Sequence, residues 1–474
     1  MALKYLLRLI PSASGTLAPI LSAKFPYSNE SKKVHVAYID NLKRVIEFAP
    51  ELSSEVFALI TERLVKIDVQ MQVDFDELDD QYSAAIVQAI SLQPNLTEED
   101  GEEDDTSDID SITSEETLDD ESNRIKEAQD NIGKIDAILD ELFSIYTPYF
   151  NDPHSLSAQT MFDTLLSHFR NIILPAYRSR HTQFLLFHFA QKSDRLIDTF
   201  AGECVDLAFK SGHPAVLKQS AAAYLASFVS RGSHVLPHVV RDVFDYIGTN
   251  LDSIREENEQ SCRGPDLKRY GTFYATTQAL LYIFCFRWRD LIISPSGNEA
   301  LDDDDPISFV GQDLQWRPGV KELLNRTIYS KLNPLKICSP LIVKEFARIA
   351  HILNFLYVYP LLETNKRVRL SQFLPRVGSC ILREPTFVTS ESNMVGRADA
   401  EESWHQLDAY FPFDPYELPM SKRWIEQDYV IWKDIPGGRE IEDNDDASTS
   451  DEDGEDEIDE EIDTGTDEDE DTLL

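Results

Sequence analysis

The sequence predicts an all-α fold, a HEAT-repeat-like α-solenoid with a disordered acidic loop and a disordered acidic C-terminal tail. Two observations predict the solenoid: apolar residues recur at helical spacing in segment after segment, and one central helix is apolar or small on more than one side. The third observation is charge. Residues 97–122 and 440–474 hold 34 of the 85 acidic residues and none of the 44 basic ones, so the rest of the chain carries a net charge of only −7 against −41 overall.

Residues 1–92 are predicted to form N-terminal helical repeats. Pro11 and Pro50 separate three helices whose apolar residues fall on one face. These apolar stripes are Leu3, Leu6, Leu7 and Ile10; Val34, Tyr38, Leu42, Val45 and Ile46; and Val56, Leu59, Ile60, Leu64 and Ile67. A stripe of this kind cannot be covered within one helical pair, so neighbouring pairs must stack, and a repeat spacing of about 40 residues is typical of HEAT repeats.

Residues 93–123 are predicted to be the disordered acidic loop, because a segment almost without large apolar residues cannot offset its ordering entropy by burial. The helical pattern returns in residues 124–402, the predicted main repeat body. Its expected helices span residues 125–149, 161–169, 183–189, 196–209, 213–231, 239–251, 273–293, 320–332 and 342–359. An acidic run at residues 302–305 lacks the alternating ligands of a calcium loop and is expected to be a solvated loop.

The helix expected at residues 213–231 is the one around which the others pack. Pro214 marks its start and Gly232 its end. One face carries Leu217, Ala221, Tyr224 and Phe228, and the small residues on the other faces are Ala222, Ala223, Ala226 and Ser227. Neighbouring helices can therefore approach from more than one side, and we predict that Ala223 lies between helices.

Residues 403–436 differ from the repeats. The stretch FPFDPYELP is too rich in proline to be helical and too aromatic to stay in water, so we predict an extended latch along the stack. The stretch SKRWIEQDYVIW is predicted to form a last helix, with Ser421 as its N-cap and with Trp424, Tyr429 and Trp432 as anchors. Residues 437–474 form the predicted acidic tail.

No stretch carries a catalytic or cofactor-binding signature. The chain has no P-loop, no GxGxxG after a strand, no GxSxG and no kinase motif, so we expect no enzyme and no cofactor. His234 and His238 have the spacing of helical metal ligands, but Pro237 lies between them and no third ligand is evident, so no metal site is predicted. Five widely spaced cysteines are typical of a reducing compartment, and no apolar run is long enough to span a bilayer.

Three basic clusters are candidates for docking an acidic partner. They consist of Arg263, Lys268 and Arg269; of Arg287 and Arg289; and of Lys366, Arg367 and Arg369. The alternative is that they complement helix C-termini and keep the chain soluble. Tight direct binding to DNA is not favoured by the acidic balance, so DNA contact is expected to be weak or indirect.

Both acidic segments contain serine and threonine residues with an acid three positions on, the pattern that an acid-directed kinase selects. The candidate phosphorylation sites are Ser107, Thr113, Thr117, Ser448, Thr449 and Ser450. Phosphate at these positions would deepen an already negative field. Such matches occur in any acidic tract, so the absence of modification is the alternative.

Seven stretches, in order, resemble the RNA polymerase I-specific transcription initiation factor family. They are IPSASGTLAPILSAKFPY, LITERLVKIDV, TQFLLFHFA, KQSAAAYLASFVSR, FYATTQALLYIFCFR, LNPLKICSP and FPFDPYELPMSKRWIEQDYVIW. The resemblance implies a non-catalytic HEAT-repeat bridge in the nucleus and nucleolus that binds RNA polymerase I and the promoter-bound core factor. It also implies regulation by phosphorylation and self-association of the free factor as a homodimer. Family members have further helical repeats before the first block, so we expect the family's first repeats to be missing here.

Three other functions remain as alternatives from the residues alone. A generic α-solenoid adaptor, such as a transport receptor, would show regular repeats and no fixed FPFDPY latch. An enzyme would need a concave pocket with mutually hydrogen-bonded titratable groups. A chaperone acting through its acidic tail would lose all function without residues 440–474.

Overall fold

A computed structural model of the chain describes Tyr5, Leu9 and residues 14–76, 115–176, 179–293, 314–373 and 406–432. The regular secondary-structure elements of these residues are all helices, joined by turns and loops. Two isolated β-bridges also form, between Gly232 and Tyr429 and between Ile292 and Trp316. The predicted all-α solenoid is therefore confirmed. No helix in the described ranges is long and apolar enough to cross a membrane. The predicted acidic tail, the first predicted N-terminal stripe and most of the predicted acidic loop lie outside the described residues.

The N-terminal helices are α1 (Ser14–Ala23), α2 (Lys32–Phe48) and α3 (Ser53–Asp76), with a 3₁₀ turn at Pro50–Leu52 between the last two. Pro50 separates α2 from α3 as predicted. The buried face of α2 is formed by His35, Ile39, Leu42 and Val45. Val34 belongs to the predicted stripe, but its side chain is 43% exposed, because the buried face begins one residue later, at His35.

Helix α4 (Glu115–Tyr146) begins inside the range predicted to be the disordered loop. The predicted loop boundary at residue 123 is thus wrong for residues 115–123. Apolar periodicity missed this part of the helix because Leu118 is its only large apolar residue. Further along, α4 packs against both α2 and α3, so the N-terminal helices and the main body form one continuous stack. The division into separate N-terminal and main repeat regions stays a prediction.

The centre of the stack contains α5 (Leu156–His168), a π-helical turn (Phe169–Ile173), α6 (Phe184–Ala190), α7 (Asp194–Phe209) and α8 (Ala215–Arg231). Helix α8 has its most extensive contacts with α7 on one side and α10 (Leu267–Arg287) on the other, as expected for the central helix. Ala222 and Ala226 are buried there. Ala223 is only half-buried, so its predicted place between helices is wrong, since the pattern of small residues does not reveal which side stays open.

The C-terminal part contains α9 (Pro237–Glu259), α10, α11 (Val320–Ile328), α12 (Pro340–Ile352) and α13 (Tyr359–Phe373). Several predicted helices end early. The helix expected at residues 342–359 ends at Ile352 and is followed by a turn in which Asn354 has a φ of 50°. Asparagine tolerates this left-handed conformation, which ends a helix. The helix expected at residues 320–332 ends at Ile328, and a turn follows it. The four described cysteines are buried free thiols.

Residues 406–432 lie along the stack and are called the latch here. Its first part is extended, as predicted, and its aromatic residues belong to the hydrophobic core. The predicted last helix is largely wrong: only one turn, α14 (Lys422–Ile425), and a 3₁₀ turn at Glu426–Asp428 form. The backbone then becomes extended, because Val430 donates its N–H to the carbonyl of Arg231 and Ser233 donates to the carbonyl of Asp428.

Candidate partner-binding site

The centre of the latch is anchored by Phe413, whose side chain is 0% exposed. Its ring lies 4.8 Å from that of Phe187 and 5.5 Å from that of Phe184, measured between centroids. The backbone N–H of Phe413 donates to Ser227 Oγ on α8 at 3.0 Å. Aromatic pairs at these separations stabilise a core beyond the area that they bury. The latch is therefore part of the folded core of α6 to α8.

Two carboxylates of α4 hold the C-terminal half of the latch. Asp136 accepts the backbone N–H groups of Met420 and Ser421, each at 2.8 Å, and also the Ser421 hydroxyl. Asp140 accepts from the Arg423 guanidinium at 2.7 and 2.8 Å and from the indole N–H of Trp424 at 2.8 Å. Ser421 is the N-cap residue of α14, as predicted, but its hydroxyl contacts Asp136 and makes no capping bond to the helix. The anchoring role of Trp424 is confirmed.

Arg231, the last residue of α8, joins the latch to α10. Its guanidinium donates to the Tyr282 hydroxyl at 3.0 Å and to Asp414 Oδ1 at 3.1 Å. It also lies over the ring of Phe286, 4.2 Å from the centroid, and over the ring of Tyr429 at 5.3 Å. Tyr429 is thus an anchor, as predicted, and Trp432 is another, with its ring 4.7 Å from that of Phe286.

A third carboxylate, Asp428 of the latch, lies between two histidines. His188 Nδ1 is 2.5 Å from Asp428 Oδ2, and His234 Nε2 is 3.1 Å from Asp428 Oδ1. Burial lowers the pKa of His188, so the neutral ring donates its Nδ1–H to the carboxylate. His234 therefore contacts a latch residue, and the part of the chain that the structure describes holds no group of His, Cys, Asp and Glu side chains arranged for a metal ion.

The structure brings two of the three basic clusters together. The turn between α9 and α10 contacts the loop after α11, since Cys262 Sγ lies 3.7 Å from the carbonyl oxygen of Lys331. The same loop contacts α13, since Asn333 Nδ2 donates to Asn365 Oδ1 at 2.7 Å. The exposed cations of these elements are called the α10–α13 basic surface here. They are Arg263, Lys268, Arg269, Lys331, Lys366 and Arg367.

Arg287 and Arg289 lie at the opposite end of α10, about 28 Å from its first turn at 1.5 Å per helical residue. Arg287 forms an ion pair with Asp290 at 2.8 Å and donates to the carbonyl of Val235. Arg289 lies over the ring of Trp288, 5.1 Å from the centroid. Seven of the eight sequence-predicted cations thus lie in two separate regions. The side chain of Arg369 is outside the described residues, and partner docking at all eight positions stays a prediction.

The candidate phosphorylation sites cannot be placed on this surface. Ser107, Thr113, Ser448, Thr449 and Ser450 lie outside the described residues, and Thr117 lies on α4 with a side chain that is not described. Sequence reasoning missed Asp136, Asp140 and Lys331. The two aspartates have the spacing of a solvated helical face, and Lys331 is an isolated cation in the sequence.

The comparisons with known proteins agree with one another. The family model described as RNA polymerase I specific transcription initiation factor RRN3 matches residues 1–437. The RNA polymerase I-specific transcription initiation factor rrn3 of Schizosaccharomyces pombe is 29% identical over 460 residues, which cover 94% of this chain and 68% of that protein. RRN3 of Saccharomyces cerevisiae is 27% identical over 475 residues, 94% of this chain and 72% of that protein. A crystal structure of RNA Polymerase I Transcription Initiation Factor Rrn3 has a TM-score of 0.66 at 25% identity, covering 90% of this chain and 72% of the other.

Proposed function

The chain belongs to the RNA polymerase I specific transcription initiation factor RRN3 family, and we propose that it acts as a non-catalytic bridge that binds RNA polymerase I and the promoter-bound core factor. The observation that carries the proposal is the family match over residues 1–437, which includes both the repeats and the latch. A generic adaptor needs no such latch. Because the family members named above are initiation factors for RNA polymerase I, the place of action is the nucleus, and we propose the nucleolus within it.

The structure supports a bridging mechanism. The two ends of α10 lie about 28 Å apart, and the latch bonds to this helix through Gln278. A rigid body that holds two large partners at separate surfaces makes their association effectively intramolecular, which raises the local concentration of one near the other. Direct DNA contact is not needed for this role. Phosphorylation in the acidic segments and self-association of the free protein would then regulate how much factor is available.

The experiment is a pull-down of RNA polymerase I subunits and core-factor subunits from nuclear extract, with the purified chain as bait. The expected result is capture of polymerase I and core factor without polymerase II. A parallel bait carries an added N-terminal repeat segment from a family member and tests whether it strengthens capture. If neither bait retains polymerase I or core factor, the proposed bridge is refuted.

The acidic-tail chaperone is tested with the same extract. A variant in which the acidic residues of 440–474 are replaced by their amides should still capture polymerase I under the bridging proposal, with altered yield. Complete loss of capture and of promoter-dependent transcription by this variant would instead support the chaperone.

A further inference from the structure

We propose that the α10–α13 basic surface is a docking site for the acidic tract of the same chain, residues 440–474. The inference goes beyond the bridging function, because it concerns a contact within the chain and does not depend on polymerase binding. Its basis is the shape and charge of the described surface, together with the distance that the chain must cover from the end of the latch.

The surface is built on a fixed framework. Besides the Cys262 contact, the backbone N–H of Lys331 donates to Glu259 Oε1 at 3.3 Å, and the Tyr274 hydroxyl donates to the carbonyl of Leu332 at 2.9 Å. The latter bond is buried and joins α10 to the loop after α11. Cations from three separate elements are therefore held close together, with little freedom to move apart.

The charge of this surface is positive. Of the carboxylates on the same elements, Glu256 and Glu259 form ion pairs with Arg255, at 3.4 and 2.7 Å. Asp266 caps α10 by accepting the backbone N–H groups of Lys268 and Arg269. Within residues 253–274, 329–337 and 359–367, the other exposed carboxylates are Glu257 and Glu363. Even with Lys366 left out of the count, the five other cations outnumber Asp266, Glu257 and Glu363, and such a field attracts an anionic segment.

The acidic tract has the matching charge. Residues 440–474 contain 20 acidic residues and no basic one. A folded acidic protein would have to match the outline of the surface, whereas an extended acidic segment only needs to place carboxylates near several cations in turn. Charge complementarity therefore favours a segment of this composition as the occupant.

The tract is also within reach. Trp432, the last described residue, packs on Phe286 in the last turn of α10. Lys268 and Arg269 lie about 27 Å away along that helix. Residues 433–443 can extend over about 36 Å, so the chain length allows the acidic tract to reach the surface, with about 30 residues following. A segment tethered by a short linker is present at an effective concentration of the order of millimolar, which favours it over a dilute free partner of the same charge.

The nearer cations at the other end of α10 are less suited to the tract. The Arg287 side chain is 12% exposed and donates to Asp290 and to the carbonyl of Val235. Moving Arg287 away from these partners would leave a largely buried carboxylate and a carbonyl without their donor. The exposed cations at the start of α10 carry no such cost.

The test is carbodiimide cross-linking of the full chain, followed by mass spectrometry. The reagent joins a lysine amine to a carboxylate in contact with it. Lys268, Lys331 and Lys366 should form cross-links to residues 440–474 in about tenfold higher yield than the exposed Lys24, which follows α1. This difference should largely disappear at about 1 M salt, where the Debye length falls to about 3 Å. Equal yields at all four lysines, or cross-links of the surface only to residues 97–122, would overturn the proposal.

A second measurement uses the synthetic peptide of residues 440–474. It should bind a full-length variant in which the Asp and Glu residues of 440–474 are replaced by Asn and Gln. It should bind the wild-type chain at least about tenfold more weakly, because the tethered tract already occupies the surface. Adding Lys268→Glu, Arg269→Glu and Lys366→Glu to the neutralised variant should abolish peptide binding, whereas Lys24→Glu should not. Peptide binding that survives the three surface changes would overturn the proposal whether or not polymerase I is captured.

Discussion

The substitution Phe413→Ala tests whether the latch is part of the core. Phe413 is fully buried among rings of α6, α7 and α8. The centroid distances are 4.8 Å to Phe187, 5.5 Å to Phe184, 6.4 Å to Phe200, 5.7 Å to Tyr224 and 6.3 Å to Phe228. Alanine would remove all five ring contacts and leave a cavity at the junction of the latch and the three helices. It would not change any charge or any backbone hydrogen bond.

The expected loss is large. Burying a phenylalanine removes roughly 150–200 Å² from water, which at about 25 cal/mol per Å² corresponds to roughly 4–5 kcal/mol. Alanine keeps part of this area, and the cavity adds a cost, so the loss should be about 3–5 kcal/mol, the range for buried Phe→Ala changes. Since about 1.4 kcal/mol corresponds to a factor of ten, opening of the latch should become at least about a hundredfold more frequent.

Hydrogen exchange measures this opening directly. The backbone N–H of residue 413 is bound to Ser227 Oγ and is protected only while the latch is docked. Its exchange should accelerate by the factor given above, while amides in α12 keep their rates. The control is Tyr27→Ala, which removes an aromatic ring that is 77% exposed and should leave exchange unchanged. An acceleration of less than about fivefold, equivalent to about 1 kcal/mol, would show that Phe413 does not anchor the latch.

Three further predictions concern α8 and the latch. Ala226→Asp places a charge at a 0% exposed position and should lower the free energy of unfolding, measured in urea, by several kcal/mol. Ala223→Asp, at a half-buried position, should lower it clearly less, and equal losses would contradict the burial pattern. Burial lowers the pKa of His188 in the folded chain below its ordinary value of 6.5, so the unfolded chain binds a proton more readily. The neutral ring therefore stabilises the fold above pH 6.5, and this stabilisation is lost as the pH falls through the folded pKa. His188→Gln should therefore flatten the acid-induced opening of the latch, and an unchanged pH profile would refute this. Arg231→Met removes the donor to Asp414, whose side chain is 43% exposed. The free energy of unfolding should fall by about 2 kcal/mol, a value between those for surface and buried ion pairs. A melting temperature equal to that of the wild type within error would contradict this.

The repeats could be predicted from the sequence because their signals are local. Helix α8 runs from Ala215 to Arg231, within one or two residues of its predicted limits, since Pro214 and Gly232 mark its ends and the apolar spacing is regular. The extended form of the latch followed from its prolines and aromatic residues. Local signals failed where a helix was polar, at the start of α4, and where Asn354 ended a helix without a proline or glycine.

The destination of the latch could not be predicted, because its partners are far away in the sequence. Gln183 donates to the carbonyl of Pro412, 229 residues later, and Asp136 accepts from Met420, 284 residues later. Nothing in the sequence near Asp136 distinguishes it from an aspartate on a solvated helix face. The same limit applies to the α10–α13 basic surface, since the contacts of Lys331 with α9 and the adjacent turn bring it beside cations from another part of the chain.

The latch is expected to stiffen the stack, because it bonds to several helices at once. In a simple solenoid each repeat contacts only its neighbours, so small changes at each interface add up to a large change in curvature. Here one segment bonds to α4 through Asp136, to α6 through Gln183, to α8 through Ser227 and to α10 through Gln278, which donates to the carbonyl of Asp408. A change in curvature must break some of these largely buried bonds, at a cost of about 1–3 kcal/mol each. Substitutions in the latch should therefore weaken the binding of both proposed partners even when neither partner touches it.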